Sequence, residues 1–126
     1  MRNLIDTNVW IDALAGRLSP AAFFKISVQA DWAGYSAITR IELFGLPGLK
    51  DEEETKISEI LKPFVEIAVE SAIIDRAIGV RKARRIKVPD AIIAATALVR
   101  GCSLITRNTE DFKGISDLVV IDPYTL

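Results

Sequence analysis

The chain has 126 residues, half of them hydrophobic and 26% charged, with a formal net charge of −1. That suits one globular domain over residues 1–126, and the whole-molecule field does not announce a nucleic-acid binder. There is no histidine, which excludes a Ser-His-Asp triad, a Cys-His pair and histidine-ligated zinc. Hydrolytic chemistry must then run on carboxylates, hydroxyls, lysine or a hard metal.

In chain order, Asn3–Ile5 predicts a short strand ending on Asp6. Thr7–Ala15 predicts a helix stopped by Gly16, and Pro20 opens a second helix running to about Ala30. Tyr35–Ala37 predicts a strand and Ile38–Leu46 a helix ending near Pro47-Gly48. Asp51–Leu61 is acidic first and closes on Lys62-Pro63, a helix that respects its dipole. Val65–Val69 alternates as a strand, and Glu70–Arg85 is helical with a basic end. A helix follows from Pro89 to Gly101, then a strand at Ser103–Thr106, a short helix at Thr109–Lys113 and a last strand at Leu118–Ile121.

Strands alternating with helices predict an α/β fold, a mainly parallel sheet with helices on both faces. Ligands of such sheets sit beyond the carboxyl ends of the strands. Asp6 follows the first strand, and Thr106, Arg107 and Asn108 follow a later one. Both belong on the same rim. The apolar run Ala91–Val99 is nine residues, too short to cross a bilayer. Met1-Arg2-Asn3 lacks signal-peptide architecture, and the lone Cys102 reads as a small buried hydrophobe. Both agree with a cytoplasmic protein.

Three acids stand among apolar neighbours. Asp6 ends an apolar run, where it also fits the N-cap of the next helix. On a helix from Ile38, Glu42 falls inside an apolar arc. Asp90 is the one acid of an otherwise apolar helix, a place that also suits the helix dipole. Asn108 and Asp111 fit a helix start, with Asn108 as cap. Trp10 and Trp32 read as core or interface residues. Carboxylates gathered on one semi-buried rim repel one another, and oxygen-bound Mg²⁺ or Mn²⁺ relieves that repulsion. Arg81, Lys82, Arg84, Arg85 and Lys87 crowd into seven residues, either a solvated face or a phosphate-binding patch.

Four segments carry a resemblance: LIDTNVWID, SAITRIELFGL, VPDAIIAATAL and LITRNTEDF, in this order over nearly the whole chain. The chain resembles the PIN-domain ribonucleases, in particular VapC-type toxins of prokaryotic toxin–antitoxin pairs. The resemblance implies a three-layer α/β/α sandwich and a metal-dependent endoribonuclease leaving a 5′-phosphate and a 3′-hydroxyl. Asp6, Glu42 and Asp90 would hold Mg²⁺ or Mn²⁺. Many relatives carry Asp where Asn108 stands, so Asn108 or Asp111 completes the catalytic set and a second metal position is weaker. Thr7, Asn8 and Thr106 would orient the carboxylates or the attacking water. Arg40, Arg81, Lys82, Arg84, Arg85 and Arg107 are candidates for RNA phosphate contacts. The resemblance also implies a homodimer and a VapB-type antitoxin partner.

Two rival readings remain at this level. An aspartyl-phosphate phosphatase or receiver-like protein also places Asp after its first strand, but the phosphatases carry a second Asp where Asn8 stands here. A PIN-like module that binds RNA or protein without cutting is kept open by Asn108.

Overall fold

The computed structural model describes residues 1–126. Five strands form one sheet: β1 (Arg2–Ile5), β2 (Trp32–Ser36), β3 (Val65–Ile67), β4 (Ser103–Ile105) and β5 (Val120–Ile121). The order is β3-β2-β1-β4-β5, and every pairing is parallel. The helices are α1 (Thr7–Leu14), α2 (Pro20–Ile26), α3 (Ala37–Phe44), α4 (Asp51–Leu61), α5 (Ser71–Ala83), α6 (Val88–Arg100) and α7 (Thr109–Phe112). A 3₁₀ turn closes the chain at Pro123–Thr125.

Side chains alternate across a strand, so the central strands feed two cores. Leu4 and Leu104 point into a core with Ile73, Ala77 and Val80 of α5 and the alanine-rich face of α6. Ile5 and Ile105 point the other way, onto Val9, Trp10, Ile26, Ile57 and Leu61. The sheet is therefore covered on both faces, and the three-layer sandwich expected from the sequence is the fold. No helix is long and apolar enough to cross a membrane.

Trp10 is fully buried in the second core. Its Nε1 donates to the Ile5 carbonyl at 3.1 Å, and its ring meets Phe23, Tyr35 and Phe64 edge-on. Trp32 is only partly buried, and Arg2 lies over its ring at 5.0 Å. Cys102 is buried, as expected.

Two boundaries depart from the sequence reading by more than two residues. Helix α2 stops at Ile26 instead of near Ala30: the backbone leaves helical geometry at Ser27, φ −112° and ψ −78°, where the hydroxyl also donates to the Phe23 carbonyl at 2.5 Å. Strand β2 begins at Trp32, three residues before Tyr35. Gly34 hid this extension, since glycine usually weakens a strand. A Cβ there would lie 2.4 Å from the Trp32 ring and 2.6 Å from the Val65 carbonyl oxygen. The close approach of β2 to β3 needs glycine.

Gly101 ends α6 in the left-handed region, φ +65°, with open space around its Cα. Gly101→Ala therefore meets no clash but keeps the backbone strain. It should cost about 1 kcal/mol in denaturant unfolding.

Chain order explains where a site forms. From β1 the sheet grows to β2 and β3, then returns to the other side of β1 for β4 and β5. The reversal lies between β1 and β4, and ligand crevices of open parallel sheets open at such a switch, beyond the carboxyl ends.

Candidate active site

Asp6 is the first residue past β1 and the N-cap of α1. Its backbone N–H continues the sheet onto the Ile105 carbonyl at 2.9 Å. Its side chain is 6% exposed and takes three donors. Oδ1 accepts the Thr7 N–H at 2.8 Å; Oδ2 accepts Thr106 Oγ1 at 2.9 Å and Asn8 Nδ2 at 3.1 Å. Despite these bonds, burial pushes the Asp6 carboxyl from 3.8 up to about 6, and the charges of Asp90 and Glu42 push the same way. The cap and the candidate site are thus one residue: Oδ1 closes the helix and Oδ2 faces the rim.

Glu42 comes from α3. The apolar arc expected around it does not exist. Of α3 only Thr39 and Leu43 are buried, and Ile41 is 67% exposed. What holds Glu42 is Thr7, whose hydroxyl donates to Oε1 at 2.8 Å. A hydroxyl has one proton, so the 2.9 Å contact between Thr7 and Thr39 has buried Thr39 as donor.

Asp90 lies in the first turn of α6, partly buried. Desolvation raises its pKa; Asp111 and then Glu42 add to the rise, and Lys87 opposes it. The charges of Asp90 and Glu42 thus reach Asp6, and those of Asp111 and Glu42 reach Asp90, from four separate stretches of chain. No three of these acids converge on a common point at ligating distance. Asn108 sits at the start of α7 but its side chain caps nothing, and its N–H donates to Thr106 Oγ1 at 3.1 Å.

A PIN-domain family model matches residues 4–118. The chain belongs to the PIN-domain family. It is 35% identical to a chain of a toxin–antitoxin complex from Klebsiella pneumoniae, covering 97% of this chain and 98% of that one, with TM-score 0.79. It is 25% identical to a chain of VapBC-1 from nontypeable Haemophilus influenzae, covering 98% of each, with TM-score 0.82. At 21% identity, VapBC2 from Rickettsia felis, bound to a DNA fragment from the promoter, shares the fold with TM-score 0.83 over 96% of this chain and 98% of that one. No curated protein sequence matches the chain.

In this PIN domain several expected phosphate-binding cations are already engaged. Arg40 forms a two-pronged pair with Glu66. Arg107 donates from Nη1 to both oxygens of Asp12 at 2.9 and 3.0 Å. Arg84 donates to the carbonyls of Lys113 at 2.5 Å and Asp111 at 3.1 Å, tying the end of α5 to the segment that carries Asp111. Arg81 gives its Nε to the Ile86 carbonyl at 3.1 Å. Lys82, Arg85 and Lys87 have no protein partner among the hydrogen bonds and ion pairs and are exposed. Beside Asp90 a cavity of about 590 Å³ is lined by the cations Arg81, Arg84, Arg85 and Lys87 and by the acids Asp90, Glu110 and Asp111.

Sequence reading of the PIN chain missed Asp12, Thr39 and Ser36, whose hydroxyl caps α3 by accepting the Ile38 N–H at 3.1 Å. Asp12 is 1% exposed and Ser36 and Thr39 are fully buried. A second acid within LIDTNVWID, on the same short helix as Trp10, was the available signal for Asp12. Nothing in the spacing distinguishes Thr39 from an ordinary helix residue.

Proposed function

We propose that this chain is a divalent-metal-dependent endoribonuclease, the toxin of a VapBC-type toxin–antitoxin pair. The observation that carries the reading is Asp6: a buried carboxylate just past the central strand, its pKa raised to about 6 by burial and by the charges of Asp90 and Glu42, at the switch of a PIN sheet. PIN domains are nucleases that hydrolyse phosphodiester bonds, and the acid set gives this chain the means.

The donor set is all oxygen and no histidine, which suits Mg²⁺ or Mn²⁺. Asp6, Glu42 and Asp90 would hold the cation, which would offset the desolvation of Asp6 and the repulsion around it. Such an ion would acidify a bound water and neutralise charge on phosphate. The chain's own residues do the rest. Thr7, Asn8 and Thr106 hold Asp6 and Glu42 in fixed orientation. Asn108 and Asp111 lie at the start of α7, with Asp111 near Asp90, and a neutral amide in place of a carboxylate would make a second cation position there weaker.

Lys82, Arg85 and Lys87 replace Arg40, Arg84 and Arg107 as the favoured phosphate contacts, with Arg81 beside them. Arg85→Ala with Lys87→Ala should weaken RNA binding alike across unrelated sequences. The slope of log K against log salt should shrink by about 2. Arg84→Ala should leave the slope nearly unchanged and lower the melting temperature instead.

The antitoxin assignment is supported by the Klebsiella and Haemophilus relatives, both solved as toxin–antitoxin or VapBC complexes. Homodimerisation remains what the family resemblance implies, and Ile74 and Ile78, exposed one turn apart on α5, offer an apolar strip for it. The reading is tested by incubating partner-free protein with defined transfer and ribosomal RNAs in Mg²⁺, Mn²⁺ or chelator and mapping the ends. Internal cuts with 5′-phosphate and 3′-hydroxyl ends, abolished by chelator, are expected. RNA binding without cutting would make the chain a binding module.

A further inference from the structure

The proposed site uses one buried carboxylate, Asp6. The molecule holds a second, Asp12, on the same helix and 1% exposed. Its Oδ1 accepts Arg17 Nε at 3.0 Å and Arg107 Nη1 at 2.9 Å. Its Oδ2 accepts Arg107 Nη1 at 3.0 Å and the Tyr124 hydroxyl. One carboxylate thus ties together the end of α1, the loop after β4 and the closing 3₁₀ turn.

Arg107 is the informative partner, because it lies between Thr106 and Asn108 on the rim. While its guanidinium is held by Asp12, its backbone N–H donates to Asn8 Oδ1 at 3.1 Å. A backbone N–H can only donate, so it settles which end of the Asn8 amide is oxygen. The opposite end, Nδ2, then faces Asp6 Oδ2 at 3.1 Å and Thr106 Oγ1 at 3.4 Å. A flipped Asn8 would aim its oxygen at the Asp6 carboxylate and its NH₂ at the Arg107 N–H, setting like against like at both ends.

We propose that Asp12 is a positioning residue: by clamping Arg107 it holds the loop after β4 against Asn8, and so fixes the amide that presents Nδ2 to Asp6. Its effect on cleavage rests on the nuclease reading above; the clamp itself does not. Asp12 touches no reacting atom. Arg107 commits Nη1 to the clamp, and the rest of its half-exposed guanidinium makes no hydrogen bond within the protein.

The test uses Asp12→Asn, Arg107→Met and the double variant of the full chain. The first readout is the NMR signal of the Asn8 side-chain NH₂ in metal-free protein. The second is RNA cleavage with Mn²⁺, split into kcat and KM. Both single variants should shift the Asn8 signals and speed their exchange with water about tenfold or more. Each should lower kcat by about 10–100-fold with KM within about threefold of native. The double variant should be no worse than the poorer single one, since both break one chain of contacts. Arg107 is about half exposed, so Arg107→Met carries the same readouts if Asp12→Asn does not fold.

Unchanged Asn8 signals in folded variants would overturn the clamp. So would a raised KM with native kcat, which would make Arg107 an RNA contact. Native protein that cuts no RNA while its Asn8 signals respond would sink the nuclease reading and leave the clamp standing. Cutting by native protein with unmoved Asn8 signals would do the reverse.

Discussion

Asp90→Asn is expected to lower RNA cleavage by at least about two orders of magnitude while the protein stays folded. The side chain lies in the first turn of α6, the half-buried end of an otherwise apolar helix. Burial and the charges of Asp111 and Glu42 disfavour its ionised form. Asparagine keeps the shape and removes the charge. In metal-free buffer near neutral pH the variant should therefore melt no lower than native protein, while its apparent Mn²⁺ affinity falls. Cleavage at fixed RNA over a Mn²⁺ series, alongside melting curves in chelator, checks both halves. If Asp90 served only the helix dipole, asparagine would lose up to about 1 kcal/mol of stability and cleavage would be native.

The second large effect is a pH dependence centred on Asp6. In the unfolded chain this carboxyl ionises near 3.8; in the folded chain burial raises it to about 6. Between those values the folded protein keeps a proton that the unfolded chain has released. Stability contributed by this group therefore falls as pH rises through that window, the reverse of a carboxylate held in an ion pair. The full span is about 3 kcal/mol, at about 1.4 kcal/mol per pH unit. Asp6→Asn removes the group, so in chelator the variant should gain on native protein by about 2–3 kcal/mol from pH 4 to pH 6.5. Any constant loss from asparagine facing the Asn8 NH₂ cancels in that difference. Saturating Mn²⁺ at pH 7 should raise the melting temperature of native protein and not of the variant, since only a ligand of the folded state stabilises it. Urea unfolding of both proteins at four or five pH values measures the difference directly, and parallel curves would show that Asp6 is not the buried titrating group.

What could be read from the sequence follows from how local each signal is. The order of strands and helices was legible because alternation, acidic first turns, Pro20 and Gly101 act within a few residues of themselves. So was the rim, because a parallel sheet puts the ends of β1 and β4 side by side. The extent of β2 was not, since Gly34 is favoured there by Trp32 and by the backbone of β3. Glu42 was named for the wrong reason: no apolar arc surrounds it, and its anchor is Thr7 from another helix. The Asp12 network was missed because its partners, Arg17, Arg107 and Tyr124, lie 5, 95 and 112 residues away. Charge alone ranked the arginines as phosphate contacts. Pairing with Glu66, with Asp12 and with backbone carbonyls separates them, and such pairing depends on tertiary neighbours.

Asp6, Glu42 and Asp90 are proposed to hold one cation between them. Calorimetric titration of Mn²⁺ into partner-free native protein and into Asp6→Asn, Glu42→Gln and Asp90→Asn at pH 7.5 tests it most directly. Native protein should bind Mn²⁺ with one tight site. Each variant should lose about tenfold or more in affinity, and the Asp6 and Asp90 changes should cost the most. No binding to native protein, or native affinity in all three variants while they remain folded, would show that these three carboxylates do not hold the ion.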